Sequence, residues 1–464
     1  MSPLETSRRT LLGGALIGGV LAVSGAPAQA APPPRDVRRP VGQSSMIDVP
    51  YRRRDEVRVG FIGLGNRGAL MAPIWAAVPG AKITAVCDIR ADRAERTADR
   101  LVALGKDRPA VFGGSADSYK ELLARDDVDF VYVATPWEFH HAQGRDAMLA
   151  GKDVGLELPI ATELDQLWDL VNTSEKTRRH CLLMENCSYG RNELVMLRAA
   201  HDGAFGEVTN GHGGYLHDLR ELLFADGYYT DDWRRLWHTR SKASFYPMHG
   251  LAPIAAAMDV NRGDRFTTLQ ATGTEARGLA DFRERFVPRS HRSWAETYIN
   301  PDLVTCMIST AKGRVIRAEH DVSSPRPYSR INSLAGTRGI MEDYPSRVYV
   351  EPTHGGHSWG DFAPFRGRYD HWLWRTVGED AVRNGGHGGI DYLLLWRITQ
   401  QIRTGQVPDI DVYDSAAWCA PVPLSVMSLD KGGAPVPVPD FTYGDWSRLR
   451  VGLDSTESAM PAVV

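Results

Sequence analysis

Cysteine is scarce in this chain. Its five thiols, Cys87, Cys181, Cys187, Cys306 and Cys419, stand among 464 residues. They are odd in number and form no Cys-x-x-Cys pair, which argues against a disulfide framework and against a zinc knuckle. Buried free thiols are expected instead. No His-Glu-x-x-His is present either, so spacing points to no metal site. Neither sign of charge dominates: a net −3 gives no general attraction to nucleic acid or to an anionic membrane surface. The apolar stretch 11–23 is too short and too rich in glycine for a stable membrane span. With 24% charged and 43% hydrophobic residues, the composition is that of an ordinary globular protein.

What is present begins with Ser7-Arg8-Arg9-Thr10-Leu11-Leu12-Gly13, the pattern of a twin-arginine export signal, and Ala28-Gln29-Ala30, a small-x-small cleavage pattern. Residues 1–31 are therefore expected to be a signal peptide and the twin-arginine machinery a partner. The destination would be the periplasm, the cell envelope or the medium; a retained anchor is the alternative. That route carries folded proteins, so folding in a reducing cytoplasm would explain the lack of bridges. Residues 32–55, with three consecutive prolines and Arg52-Arg53-Arg54, read as a flexible linker. The roughly 410 residues that follow suffice for two domains of about 150–200 residues each.

Val57, Val59, Phe61 and Ile62 make a short apolar strand that runs into Gly63-Leu64-Gly65-Asn66-Arg67-Gly68. In this G-x-G-x-x-G turn the first glycine permits the tight bend and the second lets the backbone approach a pyrophosphate. The third allows helix and strand to pack closely, and the helix start offers N–H groups to the phosphates. A helix over 69–77 and a strand over 82–87 follow, and Asp88 closes that strand. A carboxylate about twenty residues past the turn suits the ribose hydroxyls of NAD and repels a 2′-phosphate. Arg90, two residues on, leaves NADP open. Helices are predicted over 91–104, 138–150 and 164–175, and strands over 128–134, 153–157 and 180–185. Thr162-Glu163-Leu164-Asp165 has the form of a capping box. The alternation predicts a doubly wound parallel sheet over 56–189, with ligands outside its carboxyl ends near Trp137, Glu157 and Asn186.

Beyond residue 190 the pattern changes. Strand-like runs at 303–309, 314–320 and 347–350 sit among glycine- and aromatic-rich loops, predicting an α+β substrate domain over 190–464, mainly an antiparallel sheet, with a C-terminal tail. Between Tyr215 and His249 the chain concentrates Tyr228, Tyr229, Trp233, Trp237, Phe245 and Tyr246, with Asp218 and Arg234 among them. Rings with a polar edge suit a sugar face; the same composition also describes a core. Gly356-His357-Ser358-Trp359-Gly360 matches the nucleophile elbow of serine hydrolases. Pro352 before it and Pro364 and Gly367 after it argue against the strand and helix which that chemistry needs.

The first domain resembles the glucose–fructose oxidoreductase and inositol dehydrogenase superfamily, whose members carry Glu-Lys-Pro at the end of the fifth strand. Here the triplet is Glu157-Leu158-Pro159. Leucine cannot relay a proton, which argues against simple dehydrogenase chemistry. Five segments together resemble glycoside hydrolase family 109, over about residues 56–445. They are Glu157-Leu158-Pro159-Ile160-Ala161, Met184-Glu185-Asn186-Cys187-Ser188-Tyr189, Tyr215-Leu216-His217-Asp218-Leu219-Arg220, Tyr246-Pro247-Met248-His249-Gly250 and Gly386-His387-Gly388-Gly389-Ile390-Asp391.

This resemblance implies an NAD-dependent α-N-acetylgalactosaminidase with tightly bound cofactor. Oxidation at sugar C3 acidifies the C2 proton, the C1 leaving group is eliminated, water adds, and C3 is reduced again. NAD would end each turnover as it began, which suits a protein exported away from any pool of it. By position in the matching segments, His249, Tyr246, Tyr189 and Tyr328 are implied as catalytic, with His249 the principal acid/base. Tyr215 and Arg234, with Tyr246, His249 and Tyr328, would hold the sugar. Gly63, Leu64, Gly65, Asn66, Arg67, Gly68, Asp88, Trp137, His140, Glu157, Leu158 and Asn186 would line NAD. Asp391 reads as structural. Displacement glycosidases need paired carboxylates across the scissile bond, and the Tyr246–His249 region offers none. Two other readings stand: an exported NAD(P)-dependent sugar oxidoreductase, and a sugar- or cofactor-binding protein without turnover. Oligomeric state is open.

Overall fold

The computed structural model describes residues 38–450 and 452–453. The signal-peptide reading of residues 1–31, the first part of the linker and most of the tail lie outside them. Among the described residues no helix is long and apolar enough to cross a membrane.

The first half alternates as its periodicity demands. Strands β1 (Val57–Ile62), β2 (Ala81–Asp88), β3 (Ala110–Gly113), β4 (Phe130–Val133), β5 (Asp153–Leu156) and β6 (Cys181–Leu183) form a six-stranded sheet in the order β3-β2-β1-β4-β5-β6. Every pair in it is parallel. Between the strands run α1 (Asn66–Ala76), α2 (Ala91–Ala103), α3 (Ser118–Leu123), α4 (Trp137–Leu149) and α5 (Leu164–Thr177). Strand β4 is buried along its whole length, as a central strand covered on both faces must be. Helix α1 starts three residues earlier than predicted, because Gly68 already belongs to its first turn. A Cβ there would run into the carbonyl oxygen of Gly63.

The predicted capping box does not form. The N-cap of α5 is Glu163, whose side chain caps nothing, one residue later than the motif placed it. The Thr162 amide bonds the Gln166 side chain at 3.4 Å instead.

The second half opens with α6 (Arg191–His201), β7 (Val208–Leu216), α7 (Arg220–Phe224), α8 (Trp233–Trp237) and α9 (Met248–Ala257). Its eight-stranded sheet is completed by β8 (Phe266–Gly273), β9 (Leu303–Thr310), β10 (Val315–Asp321), β11 (Ser333–Gly336), β12 (Gly339–Glu342), β13 (Arg347–Val350) and β14 (Val436–Pro437), in the order β13-β12-β11-β7-β10-β9-β8-β14. Only β7 and β10 pair in parallel; the other neighbours are antiparallel. The half holds more helix than its loops suggested. Helix Ile390–Thr404 is buried on most sides, so its apolar residues show little periodicity. It returns to the first half, where Trp75 Nε1 donates to Thr399 Oγ1 at 3.0 Å. Helix Val412–Cys419 covers β6, the Leu183 amide donating to Ser415 Oγ at 2.8 Å.

Two other expectations change. Residues 38–55, read as part of a flexible linker, pack onto the fold. Met46, Ile47 and Tyr51 are buried. Arg39 pairs with Glu175 at 3.0 Å and Asp445 at 2.8 Å, and the Met46 amide donates to the Tyr413 hydroxyl at 2.8 Å. Proline and arginine gave this stretch the look of a linker, while three apolar anchors and one chelated guanidinium tie it down. Ser358 is exposed in a turn, not on a strand-to-helix elbow. A helix, Phe362–Tyr369, does follow it. Asp361 caps that helix, and Pro364 falls in its first turn, where proline is tolerated.

Candidate active site

The carboxyl ends of the parallel strands and the inner face of β7 border one cleft of about 1580 Å³. At its nucleotide end Gly63 has φ +87°, and a Cβ there would lie 2.8 Å from the backbone of Ala134. A Cβ on Gly65 would meet only Arg93, at 3.8 Å, so the space beside it is open to a ligand. Asp88 Oδ2 accepts the Leu64 amide at 2.6 Å and Oδ1 the Arg90 amide at 2.8 Å. This braces the carboxylate at the strand end while leaving lone pairs for ribose hydroxyls. The open cradle and the braced acid fit a dinucleotide.

Deeper in, Arg67 is held from both sides. Its Nε donates to Glu157 Oε1 at 2.7 Å, and its two terminal nitrogens donate to Asp391 at 3.0 Å each. The Tyr132 hydroxyl also donates to Glu157, Asn186 Nδ2 to Asp391 at 2.7 Å, and His387 Nδ1 lies 2.7 Å from the same carboxylate. Burial would raise the Asp391 pKa, but Arg67 and His387 outweigh it and hold the acid well below the usual range. Leu158 is buried at the cleft wall and begins a cis bond to Pro159, whose carbonyl lies 2.8 Å from His140 Nδ1. The other His140 nitrogen lies 2.7 Å from the Thr135 carbonyl. Burial lowers its pKa against the pull of both carbonyls.

At the other end the rings gather. Tyr215, on β7, has its centroid 4.9 Å from Tyr246, 5.3 Å from His249 and 6.1 Å from Tyr328. Helix α9 presents His249 in its first turn and packs so closely on β7 that a Cβ on Gly250 would run into the Gly214 backbone. Trp137 stacks on Tyr246 at 6.2 Å, and the Arg234 guanidinium stands 5.0 Å from the Tyr246 ring and 5.4 Å from the Trp137 ring. One Arg234 nitrogen donates to the Tyr229 hydroxyl at 3.3 Å, while Nε and Nη2 are buried with no acceptor among the described residues. Two unmet donors on a buried cation are costly until a ligand oxygen meets them. Burial raises the Tyr246 and Tyr328 pKa values and pushes Tyr215 up to about 12, so these phenols stay protonated and donate at neutral pH.

The cleft thus collects Gly63, Gly65, Asn66, Arg67, Asp88, Trp137, His140, Glu157, Leu158, Asn186, Tyr215, Arg234, Tyr246, His249 and Tyr328. It does not collect three others. Tyr189 is buried, and its hydroxyl donates to Asp409 at 3.2 Å, because the short helix Asn186–Tyr189 turns the ring into the core beside Arg397. Leu64 is buried and touches the site only through its amide on Asp88; Gly68 is spent on helix–strand packing.

Other residues enter that the motifs had not marked for the site. Glu185 Oε1 lies 2.7 Å from His249 Nδ1 and accepts the Cys187 amide at 3.0 Å. Glu185, Cys187 and His249 bring one ligand-type atom each within 4.8 Å of one another, a cluster no spacing announced. His217 Nδ1 sits 3.0 Å from the Tyr215 hydroxyl. A strap from the second half crosses the nucleotide end: Asn66 Nδ2 donates to the Tyr228 carbonyl at 2.6 Å, Arg93 to Thr230 Oγ1 at 2.7 Å and Arg90 to Asp231 at 3.2 Å. Asp231 and Asp232 take left-handed φ values of 53° and 56° to make this turn.

Residues 57–185 match the oxidoreductase family with an NAD-binding Rossmann fold, and residues 189–448 match the C-terminal domain of glycosyl hydrolase 109. A glycosyl hydrolase family 109 protein of Streptomyces coelicolor is 68% identical over 98% of both chains. Another, of Saccharopolyspora erythraea, is 52% identical over 98% of both. Among solved structures, a levoglucosan dehydrogenase in complex with NADH and L-sorbose superposes with a TM-score of 0.62 at 18% identity, over 83% of this chain and 100% of that one. An NAD-binding oxidoreductase from Klebsiella pneumoniae gives 0.62 at 16%, over the same shares. At such identities the likeness concerns the fold. The chain belongs to glycosyl hydrolase family 109, and is an NAD-dependent glycoside hydrolase built on an NAD-binding oxidoreductase fold.

Proposed function

We propose that this protein removes terminal α-N-acetylgalactosamine, or a related α-galactoside, by a route with no net redox change. The observation that supports this reading best is that Arg234, Tyr246 and His249 open on the same cleft as the glycine-rich turn and Asp88. NAD, when bound, supplies a reversible hydride acceptor for the sugar's C3. The protein's part is orientation and proton transfer. His249 takes the C2 proton, exchanges it with solvent and protonates C2 again after water adds, while Tyr246 and Tyr328 donate to sugar oxygens. Arg234 offers its two unmet donors to the acetamido or hydroxyl oxygens. Leu158 gives no proton relay at the wall where a dehydrogenase of the superfamily has lysine, so the C3 hydroxyl proton released as the hydride leaves must pass to another group lining the cleft and be returned when C3 is reduced. Export by the twin-arginine route belongs to the same proposal, with the cofactor loaded before transport and retained.

The test is incubation of dialysed protein with p-nitrophenyl α-N-acetylgalactosaminide in D₂O. Nitrophenol release with deuterium at C2 and no net NADH is expected. Release without deuterium at C2 would overturn the elimination route while keeping hydrolysis. No release, with bound NAD reduced by another sugar, would favour an oxidoreductase.

A further inference from the structure

The base in that reading must present a bare nitrogen to the sugar, and the structure contains a device that enforces this. We propose that Glu185 is the positioning residue of the site, fixing His249 in the tautomer whose Nε2 is free to take a proton. The inference rests on His249 being the base. Glu185 stands two residues past the end of β6, and its carboxylate is fully buried. Oε1 lies 2.7 Å from His249 Nδ1, while His249 borders the cleft with its side chain 13% exposed. Oε1 already accepts the Cys187 amide, and the same oxygen faces Nδ1, so it stands there as an acceptor; Nδ1 then carries the hydrogen, and in neutral imidazole Nε2 is the acceptor. Oε2 is buried without a donor among the described residues. Among the described residues no lysine or arginine pairs with Glu185. His249 is therefore the one basic side chain in contact with it among the described residues, and a proton taken at Nε2 would leave the Nδ1 hydrogen bond to Oε1 in place.

Glu185 also caps the short helix Asn186–Tyr189 by accepting the Cys187 amide. A purely structural role would be that cap. Glu185→Gln separates the two, because a glutamine oxygen can still cap while its amide no longer forbids the other tautomer. In the purified holoprotein the variant should retain its NAD content and melt close to wild type. Its kcat should fall by about 10²–10⁴-fold with KM nearly unchanged, the pattern of a lost tautomer constraint. Glu185→Asp, which keeps the charge, should recover part of kcat.

A second readout needs no substrate. In ¹⁵N-histidine-labelled wild type, with the His249 signal assigned by its loss in His249→Gln, Nδ1 should be protonated and Nε2 bare. Nε2 carrying the hydrogen, or a Glu185→Gln kcat within about threefold of wild type, would overturn the proposal. If no glycoside is cleaved at all, the nitrogen signals still decide the tautomer, so failure of the glycosidase reading and failure of this inference are distinguishable.

Discussion

Glu185 and Tyr189 leave the same short turn for different partners, one for His249 and the other for Asp409. Their neighbourhood in sequence gave no clue to this, since a 3-10 turn sends residues four apart to different sides. Tyr189→Phe should therefore leave turnover of an aryl glycoside unchanged. It should cost about 1 kcal/mol, or roughly 2 °C in Tm, because Asp409 keeps its pair with Arg397. Thermal unfolding and kcat together check this; a tenfold loss of kcat would return Tyr189 to the chemistry. Gly63, Gly65 and Asp88 were legible because their spacing encodes geometry directly. Glu185 was not, since a lone carboxylate at a strand end shows its meaning only when α9 brings a histidine to it.

Elements carry the site through their packing, and α9 is the most exacting of them. Gly250 lets its first turn press onto β7, which sets the distance between His249 and Tyr215. Gly250→Ala must lift that turn from Gly214. The expected cost is about 1–3 kcal/mol, with kcat falling further than KM rises as His249 shifts with its neighbour. Thermal unfolding and steady-state kinetics on the variant read both effects, and unchanged values of both would mean that α9 can yield. The parallel sheet was plain from alternation alone. Strand β7 was not, because Gly211, Gly213 and Gly214 interrupt its apolar pattern, and Gly211 and Gly213 are what admit the helix, a Cβ on either running into Ile254. The capping box failed for a related reason: its local pattern fits a turn that the chain places one residue later.

The whole molecule buries several neutral histidines, and this sets its response to acid. Burial lowers the pKa of His140, His180, His238 and His320, the value for His238 falling to about 3. The unfolded chain binds these protons near pH 6.5 and the native state does not. The stability they contribute is thus full above about pH 6.5 and is lost as pH falls toward about 3. Thermal midpoints should hold from pH 8 to 7 and decline between pH 6.5 and 4.5; a flat profile over that window would contradict the burial of neutral rings.

The strap from Tyr228 to Asp231 ties the second half to the nucleotide turn by three hydrogen bonds. A dinucleotide seated in the cleft would leave only after those bonds open. Its residence time would then follow the frequency of that opening and would be insensitive to how dilute the surroundings are.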